Sequence, residues 1–289
     1  MQFPPSDRGW SEESFFGCTK ATSVIRQKTG STAGTVGERV GHGETSEDEK
    51  AKYIRRMFDA IAPRYDLING LISAGLHRRW KQATVSLLRV PGGGQALDLC
   101  CGTGDLALLL ARRIGAGGRV VGVDISEAML DVARHKAAAS GLGARTQFML
   151  GDVERLALRD GAFDVATVGF GVRNTIHPEA ALGEIWRVLR PGGRLAVLEF
   201  STPRNGLVRG PYDWYSFTLV PWLGRLASRH SDAYSYLPIS IRHWPPQEAF
   251  AEMMAGAGFV GVQYQNLLTG VAAIHVGGRP LRSAGTVPT

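Results

Sequence analysis

The chain has 289 residues, 44% hydrophobic and 20% charged, an ordinary globular composition with enough apolar material to bury a core without disulfide or metal staples. Its three cysteines, Cys18, Cys100 and Cys101, form no CxxC pair and no Cys/His cluster of zinc spacing, and no run of about 18 apolar residues is present to span a membrane. A net charge of +7 favours anionic partners, whether an acidic membrane surface, nucleic acid or an anionic substrate, and does not choose among them.

Residues 1–48 are rich in Gly, Ser and Thr, lack a hydrophobic period and read as a disordered extension. They contain no apolar signal-peptide core, and Glu12, Glu13, Glu38 and Glu44 argue against a transit peptide, so a cytoplasmic chain is expected. A folded domain is expected over 49–279. Tyr53, Ile54, Met57, Phe58 and Ile61 mark the apolar stripe of a first helix, which Pro63 ends. Leu67, Ile68, Leu71 and Ile72 suggest a second helix, and Trp80, Thr84, Leu87 and Leu88 a third. Pro91-Gly92-Gly93-Gly94 breaks the chain.

Strand and helix then alternate. Strands are predicted at 95–99, 119–123, 147–150, 163–168 and 194–200, with helices at 105–114, 127–140 and 180–189. This rhythm implies a parallel sheet covered on both faces. Residues 201–246 interrupt it with Tyr212, Trp214, Tyr215, Phe217, Trp222, Tyr234, Tyr236 and Trp244. A helix at 247–257 and strands at 261–266 and 271–276 follow, the two strands forming a terminal antiparallel hairpin. Residues 280–289 read as a flexible tail.

The sharpest local signal is Leu97-Asp98-Leu99-Cys100-Cys101-Gly102-Thr103-Gly104-Asp105-Leu106, at the end of the first strand and the opening of a helix. Glycines there let a ligand approach the backbone. Asp124 ends the second strand, where a carboxylate accepts hydrogen bonds from ribose hydroxyls. Gly102-x-Gly104-x-x-Ala107 also fits a dinucleotide fingerprint. S-adenosylmethionine is favoured because Asp98 suits the cationic amino-acid end of that cofactor, and because Asp98 and Asp105 would repel a pyrophosphate. In Gly151-Asp152-Val153-Glu154, an acidic residue fits an adenine amino group. Each carboxylate alone also reads as a helix cap or loop residue; together they gather at the carboxyl ends of parallel strands, where ligands bind open sheets of this kind. Cys100 and Cys101 have no neighbouring base and read as small packing residues.

Two longer stretches carry a resemblance: Tyr65-Asp66-Leu67-Ile68-Asn69-Gly70-Leu71-Ile72-Ser73-Ala74-Gly75-Leu76-His77-Arg78-Arg79-Trp80, and Arg187-Val188-Leu189-Arg190-Pro191-Gly192-Gly193-Arg194-Leu195-Ala196-Val197-Leu198-Glu199-Phe200-Ser201. Further matches are Phe170-Gly171-Val172-Arg173-Asn174, the stretch 235–242 and the stretch 266–271. From about Lys50 to Gly278 the chain resembles the ubiquinone/menaquinone biosynthesis C-methyltransferases. The resemblance implies an α/β fold of the class I S-adenosylmethionine-dependent methyltransferase type, Rossmann-like with seven strands and the last one antiparallel, preceded by N-terminal helices and carrying a lid insertion at about 201–246. It implies cofactor contacts at Thr103, Asp124, Asp152 and Val153, beside the glycine loop of Gly102 and Gly104. The family has a Ser where this chain has Gly169, so a hydroxyl contact is lost there.

The implied substrate is a polyprenyl quinol, demethylmenaquinol or the equivalent ubiquinone precursor. Its ring carbon becomes nucleophilic when an adjacent hydroxyl is deprotonated, so the site must align the reactants, accept or hold a proton and exclude water. Arg173 is expected to stabilise the phenolate, directly or through a water, with a structural salt bridge as the alternative. Tyr65 and Asp66, with Asn69, belong to the helical segment expected to close over the cofactor; a Tyr-Asp pair would order the hydroxyl or a water, or Asp66 would only start a helix. Asn174 is placed near the methyl end. His77 and Trp80 read as core packing or substrate contacts. No metal is expected. The lid would line a groove for the isoprenoid tail, and Arg204, Arg209, Arg225, Arg229 and Arg242 would hold it to an anionic membrane, making the chain peripheral. A homodimer is left open, and no nucleic-acid partner is expected. The rival readings are a methyltransferase for RNA or another small molecule, and a non-catalytic cofactor-binding scaffold.

Overall fold

The structure, a computed structural model, describes residues 39–40, 45–201, 203, 210 and 232–281. Most of the expected extension, the tail beyond 281, and most of the lid, with Arg204, Arg209, Arg225 and Arg229 and the aromatics from Tyr212 to Trp222, lie outside the described residues.

Helix α1, Glu47–Ile61, starts two residues before the expected boundary, because Ser46 and Glu49 form a reciprocal capping box. The chain then turns through Ala62–Arg64 into α2, Tyr65–Ile72, and, after Gly75 at φ 77°, into α3, Leu76–Leu87. The sheet comprises β1 (Gln95–Leu99), β2 (Arg119–Asp124), β3 (Thr146–Leu150), β4 (Phe163–Gly169), β5 (Leu189–Phe200), β6 (Val260–Leu267) and β7 (Ala272–Gly278). The intervening helices are α4 (Asp105–Ile114), α5 (Glu127–Ala139), α6 (Pro178–Val188), α7 (Asp232–His243) and α8 (Gln247–Gly256).

The strand order is β3-β2-β1-β4-β5-β7-β6, with β1 to β5 parallel and β7 antiparallel to both its neighbours. Leu97, Leu99, Val121, Val123, Val168 and Val197 pack on one face, and Ala96, Val120, Val165 and Leu198 on the other. Both faces are therefore dry, as near-continuous apolar strands require. Beyond β1 the chain builds outward first through β2 and β3, then on the other side through β4 and β5. The reversal leaves a crevice at the carboxyl ends of β1 and β4, where the ligands of open α/β sheets bind.

Strand β5 begins five residues before the predicted 194. Arg190-Pro191-Gly192-Gly193 is taken into the strand as an irregularity, the pairing passing from Phe163↔Leu189 to Val165↔Arg194. Gly192 adopts φ 81°, and a Cβ at Gly193 would lie 2.8 Å from the Arg190 carbonyl, so the glycines accommodate the irregularity rather than end the strand.

Candidate active site

The loop from β1 to α4 folds over a carboxylate. Asp98, 1% exposed, accepts a hydrogen bond from Ala107 N–H at 2.9 Å and another from Thr167 Oγ1 at 2.7 Å. Burial pushes its pKa up to about 7, while those two bonds oppose the rise. Asp98 thus supports the loop from beneath, and both oxygens are used there. The sequence expectation has it read the cationic end of the cofactor; its side chain is not among those that line the cleft above. Gly104 has φ 80°, and a Cβ there would come within 2.9 Å of Ala133, so the third residue of the loop must be glycine to pack on α5. Above Gly102 there is space: an added Cβ would meet only Tyr65, at 4.0 Å.

Asp124, at the end of β2, accepts from Gly102 N–H at 2.7 Å and Ser126 N–H at 2.9 Å, which aims its carboxylate along the loop. Burial raises its pKa against those bonds. A cleft enclosing about 800 Å³ with its mouth opens here, lined by Gly102, Asp124, Asp152, Val153, Gly169 and Asn174 among others. Thr103 and Gly104 lie behind this lining, and the Thr103 hydroxyl is already bonded to Asp66 Oδ1 at 2.6 Å. At Gly169 a Cβ would meet Leu106 Cδ1 at 2.6 Å, so the leucine fills the room a serine would need. Cys100 also lines the cleft, at φ 49°; burial pushes both thiols well up, which leaves them unreactive.

The wall chemistry separates the two cofactors left open by the sequence. The titratable wall residues of this cleft are Asp124, Asp152, Glu154, Tyr65 and Cys100, with no basic side chain among the described lining residues. Such a wall suits hydroxyl and amino donors and a positive charge, and it repels a pyrophosphate. Ile125, Met129 and Val153 add an apolar surface for an adenine ring. The residues present fit S-adenosylmethionine.

Besides the Thr103–Asp66 bond, three polar ties hold α1 and α2 over this cleft. Lys50 Nζ donates to Thr175 O at 3.1 Å, Ser126 Oγ to Asp59 Oδ1 at 2.6 Å, and Lys136 Nζ to Asp66 Oδ2 at 2.7 Å. Lys136 also pairs with Asp105, which Lys81 contacts at 2.9 Å. Burial alone would raise the Asp105 pKa, but the two lysines outweigh it and hold the carboxyl well below the usual range. Asp66 lines neither cleft. It locks the helical cap to the glycine loop, a different part from the two weighed for it in the sequence. Asp59, Lys81, Ser126 and Lys136 were not singled out there; Ser126, just ahead of α5 and bonded to Met129 N–H, had a legible N-cap signature.

A second cleft lies beside the first and shares the walls Phe58, Tyr65, Phe170 and Asn174 with it. Met57, Ile61, Ile68, Ile72 and Phe200 make it largely apolar, and Asn69, His77, Lys81, Arg173 and Tyr236 are its polar points. Arg173 donates through Nη1 to Glu199 Oε1 at 2.5 Å and to Phe170 O at 2.7 Å, and lies over the Phe200 ring at 5.3 Å. The salt bridge is therefore real, with partners only 6% and 1% exposed. It does not exhaust the guanidinium: Nε is buried without a partner and Nη2 makes no bond among the described residues. Burial pushes the Glu199 carboxyl up, opposed by Arg173 and the Phe200 N–H. Glu199 lies in the second of the two resembling stretches, and nothing in the sequence marks it as the arginine's partner. Asn174 accepts from Tyr236 Oη at 3.2 Å, which anchors the end of the lid region beside the wall shared by the clefts. Trp80 is core, packed 6.4 Å from Phe170, whereas His77 reaches the cleft.

The sequence pattern of the ubiE/COQ5 methyltransferase family matches residues 45–279. The chain belongs to this family. It is 44% identical over 240 residues to the ubiquinone/menaquinone biosynthesis C-methyltransferase UbiE of Azotobacter vinelandii, covering 83% of this chain and 95% of that protein. Against the protein of the same name from Stutzerimonas stutzeri it is 43% identical, with 83% and 94% covered. Among solved structures, the (4+2)-cyclase SpnF superposes with a TM-score of 0.59 at 20% identity over 79% of this chain and 95% of its own. Phosphoethanolamine N-methyltransferase 2 of Haemonchus contortus, in complex with S-adenosyl-L-methionine, gives 0.52 at 15% identity over 69% and 52%. These two similarities concern the fold, which is that of the class I S-adenosylmethionine-dependent methyltransferases. Family and cleft chemistry together make S-adenosylmethionine the cofactor.

Proposed function

We propose that the chain methylates a ring carbon of a polyprenyl quinol, converting demethylmenaquinol to menaquinol, with the equivalent ubiquinone precursor as its second acceptor. The observation that carries this reading is the adjacency of two clefts of unlike chemistry. An acidic, cofactor-sized cleft lies against an apolar one, the two sharing aromatic walls that suit a flat ring. The names of the relatives at 43–44% identity support the same substrate class.

When bound, S-adenosylmethionine supplies an electrophilic methyl group. The rest falls to the chain. Phe58, Tyr65 and Phe170 sit in the wall the clefts share and would hold the ring against the cofactor, excluding water. Arg173 retains donors beyond its Glu199 pair and would hold the oxyanion of the ring. Tyr65, whose pKa burial raises, would stay a protonated donor held by Asn69, and Asn174, fixed by Tyr236, would border the ring. The RNA reading is less well served: the cations lining the second cleft, Lys81 and Arg173, are already paired with Asp105 and Glu199. The scaffold reading does not account for a second, largely apolar cleft that shares its walls with the cofactor cleft.

The test is to incubate the purified protein with methyl-labelled S-adenosylmethionine and each quinol, then locate the label by product mass analysis. Label on a ring carbon of the naphthoquinol supports the assignment. Label on neither quinol, or on oxygen alone, sinks it.

A further inference from the structure

Methylation of a hydroxylated ring requires a group that can take the hydroxyl proton, and few side chains in the second cleft can. Arg173 is a permanent cation and Lys81 is held in its charged form by Asp105. Tyr65 and Tyr236 are phenols whose pKa values burial raises, Tyr236 to about 12. Asn69 and Asn174 are amides. His77 is the remaining titratable group of the described lining.

The hydrogen bonds of His77 define its tautomer. Ser73 Oγ lies 2.6 Å from Asn69 O, a carbonyl that can only accept, so the hydroxyl hydrogen is spent there. Toward His77 Nδ1, also at 2.6 Å, Ser73 Oγ can then only accept, and Nδ1 must carry the hydrogen. Nε2 is left with its lone pair and has no partner among the described residues, on a ring 6% exposed that lines the cleft.

We infer that His77 Nε2 is the base that takes the hydroxyl proton of the acceptor ring, with Ser73 as its positioning residue. This rests on the quinol reading above. In the step, the O–H bond breaks, its electron pair stays on oxygen to enrich the ring, and the proton passes to Nε2, giving an imidazolium. The environment keeps the resting imidazole neutral. Burial lowers its pKa, as do Lys81 and Arg78 of α3, while Asp105 of α4 and Asp66 of α2 oppose them more weakly. Tyr65, Arg173 and Tyr236 share the cleft from α2, the loop after β4 and α7. A developing oxyanion beside Arg173 thus faces a neutral acceptor rather than a competing cation.

The experiment uses the full chain. His77→Asn keeps a donor toward Ser73 and deletes Nε2. Turnover with quinol should fall about 100-fold or more. The acid limb of the kcat/KM profile, lying below the ordinary histidine range, should disappear, imidazole should restore part of the rate, and cofactor affinity should stay within about twofold. Wild-type activity without an acid limb, or His77→Asn turning over within a few-fold of wild type, would overturn the inference and leave the quinol reading standing. Absence of any quinol methylation by wild type would remove both. Nitrogen-15 NMR of imidazole-labelled wild-type protein decides independently of any variant: a protonated Nε2 at neutral pH refutes the assignment, and an unprotonated one bears it out.

Discussion

Removing the Arg173 side chain would leave Glu199, 1% exposed, without its counter-ion. Breaking a buried pair in this way costs about 3–5 kcal/mol, so Arg173→Ala would confuse a catalytic loss with unfolding. Arg173→Lys keeps a charge for Glu199 and gives up the planar fork. Its turnover should fall about 100-fold, the cost of losing one oxyanion donor, with cofactor affinity within about twofold of wild type. Kinetics beside calorimetric titration checks this; parallel loss of both would assign Arg173 to structure alone. Asp98 gives a second test, in stability. Its folded pKa of about 7 lies above the ordinary value of 3.8, so between those values the folded state holds the proton that the unfolded chain releases. Its contribution is complete below pH 4 and declines as pH rises toward 7. Asparagine in its place can accept from Ala107 N–H and donate to Thr167, and does not titrate. Relative to Asp98→Asn, the wild type should lose on the order of 2 kcal/mol between pH 5 and pH 8 in urea unfolding. A difference independent of pH would show that Asp98 remains ionised.

At the level of elements, the cap of α1 and α2 is held by charged and hydroxyl groups far apart in sequence. Asp66 and Thr103 are 37 residues apart, Asp59 and Ser126 67, and Asp66 and Lys136 70. Such ties leave no periodic trace, which is why the alternation of β1 to β5 and the late hairpin were legible and the cap's fastening was not. The glycine loop and Asp124 were legible because a ligand approaching backbone at a strand end demands those residue types. Asp98 shares that motif but faces the other way, and direction is decided by Thr167 on the neighbouring strand, 69 positions on. The start of β5 was missed because Pro-Gly-Gly is ordinarily a stop signal, and only pairing with β4 shows that it is accommodated inside a strand. The cap makes its own prediction. Asp66→Ala removes the bonds to Thr103 and Lys136; with Asp66 36% exposed, the loss should be about 1 kcal/mol, a five- to tenfold rise in the S-adenosylmethionine dissociation constant. Calorimetric titration reads it, and unchanged affinity would mean that the cap closes without this tie.

On the scale of the whole molecule, the substrate proposed is lipid-soluble while no helix among the described residues is long and apolar enough to cross a membrane. We propose that the protein meets this acceptor at a membrane surface. Helix α2 is apolar on two sides: Ile68 and Ile72 face the second cleft, whereas Leu67 and Leu71, one turn apart, are 64% and 59% exposed. Arg64, Arg78 and Arg79 are exposed in the same stretch, on a chain of net charge +7. Exposed leucines flanked by basic residues are the composition of a helix that lies in a lipid interface, where each cation near an anionic surface contributes about 1 kcal/mol. The proposed contact then lies beside the acceptor cleft, through residues other than the lid arginines considered from sequence. In flotation with vesicles containing anionic lipid, the wild-type chain should rise with the lipid, less so at high salt, and the double variant Leu67→Ser with Leu71→Ser should be recovered several-fold less. Turnover of a short-tailed, water-soluble quinol should be nearly unchanged in that variant, because neither leucine lines the cleft. Equal recovery of wild type with neutral and anionic vesicles would exclude an electrostatic docking face, and equal flotation of the variant would exclude α2 as its apolar part.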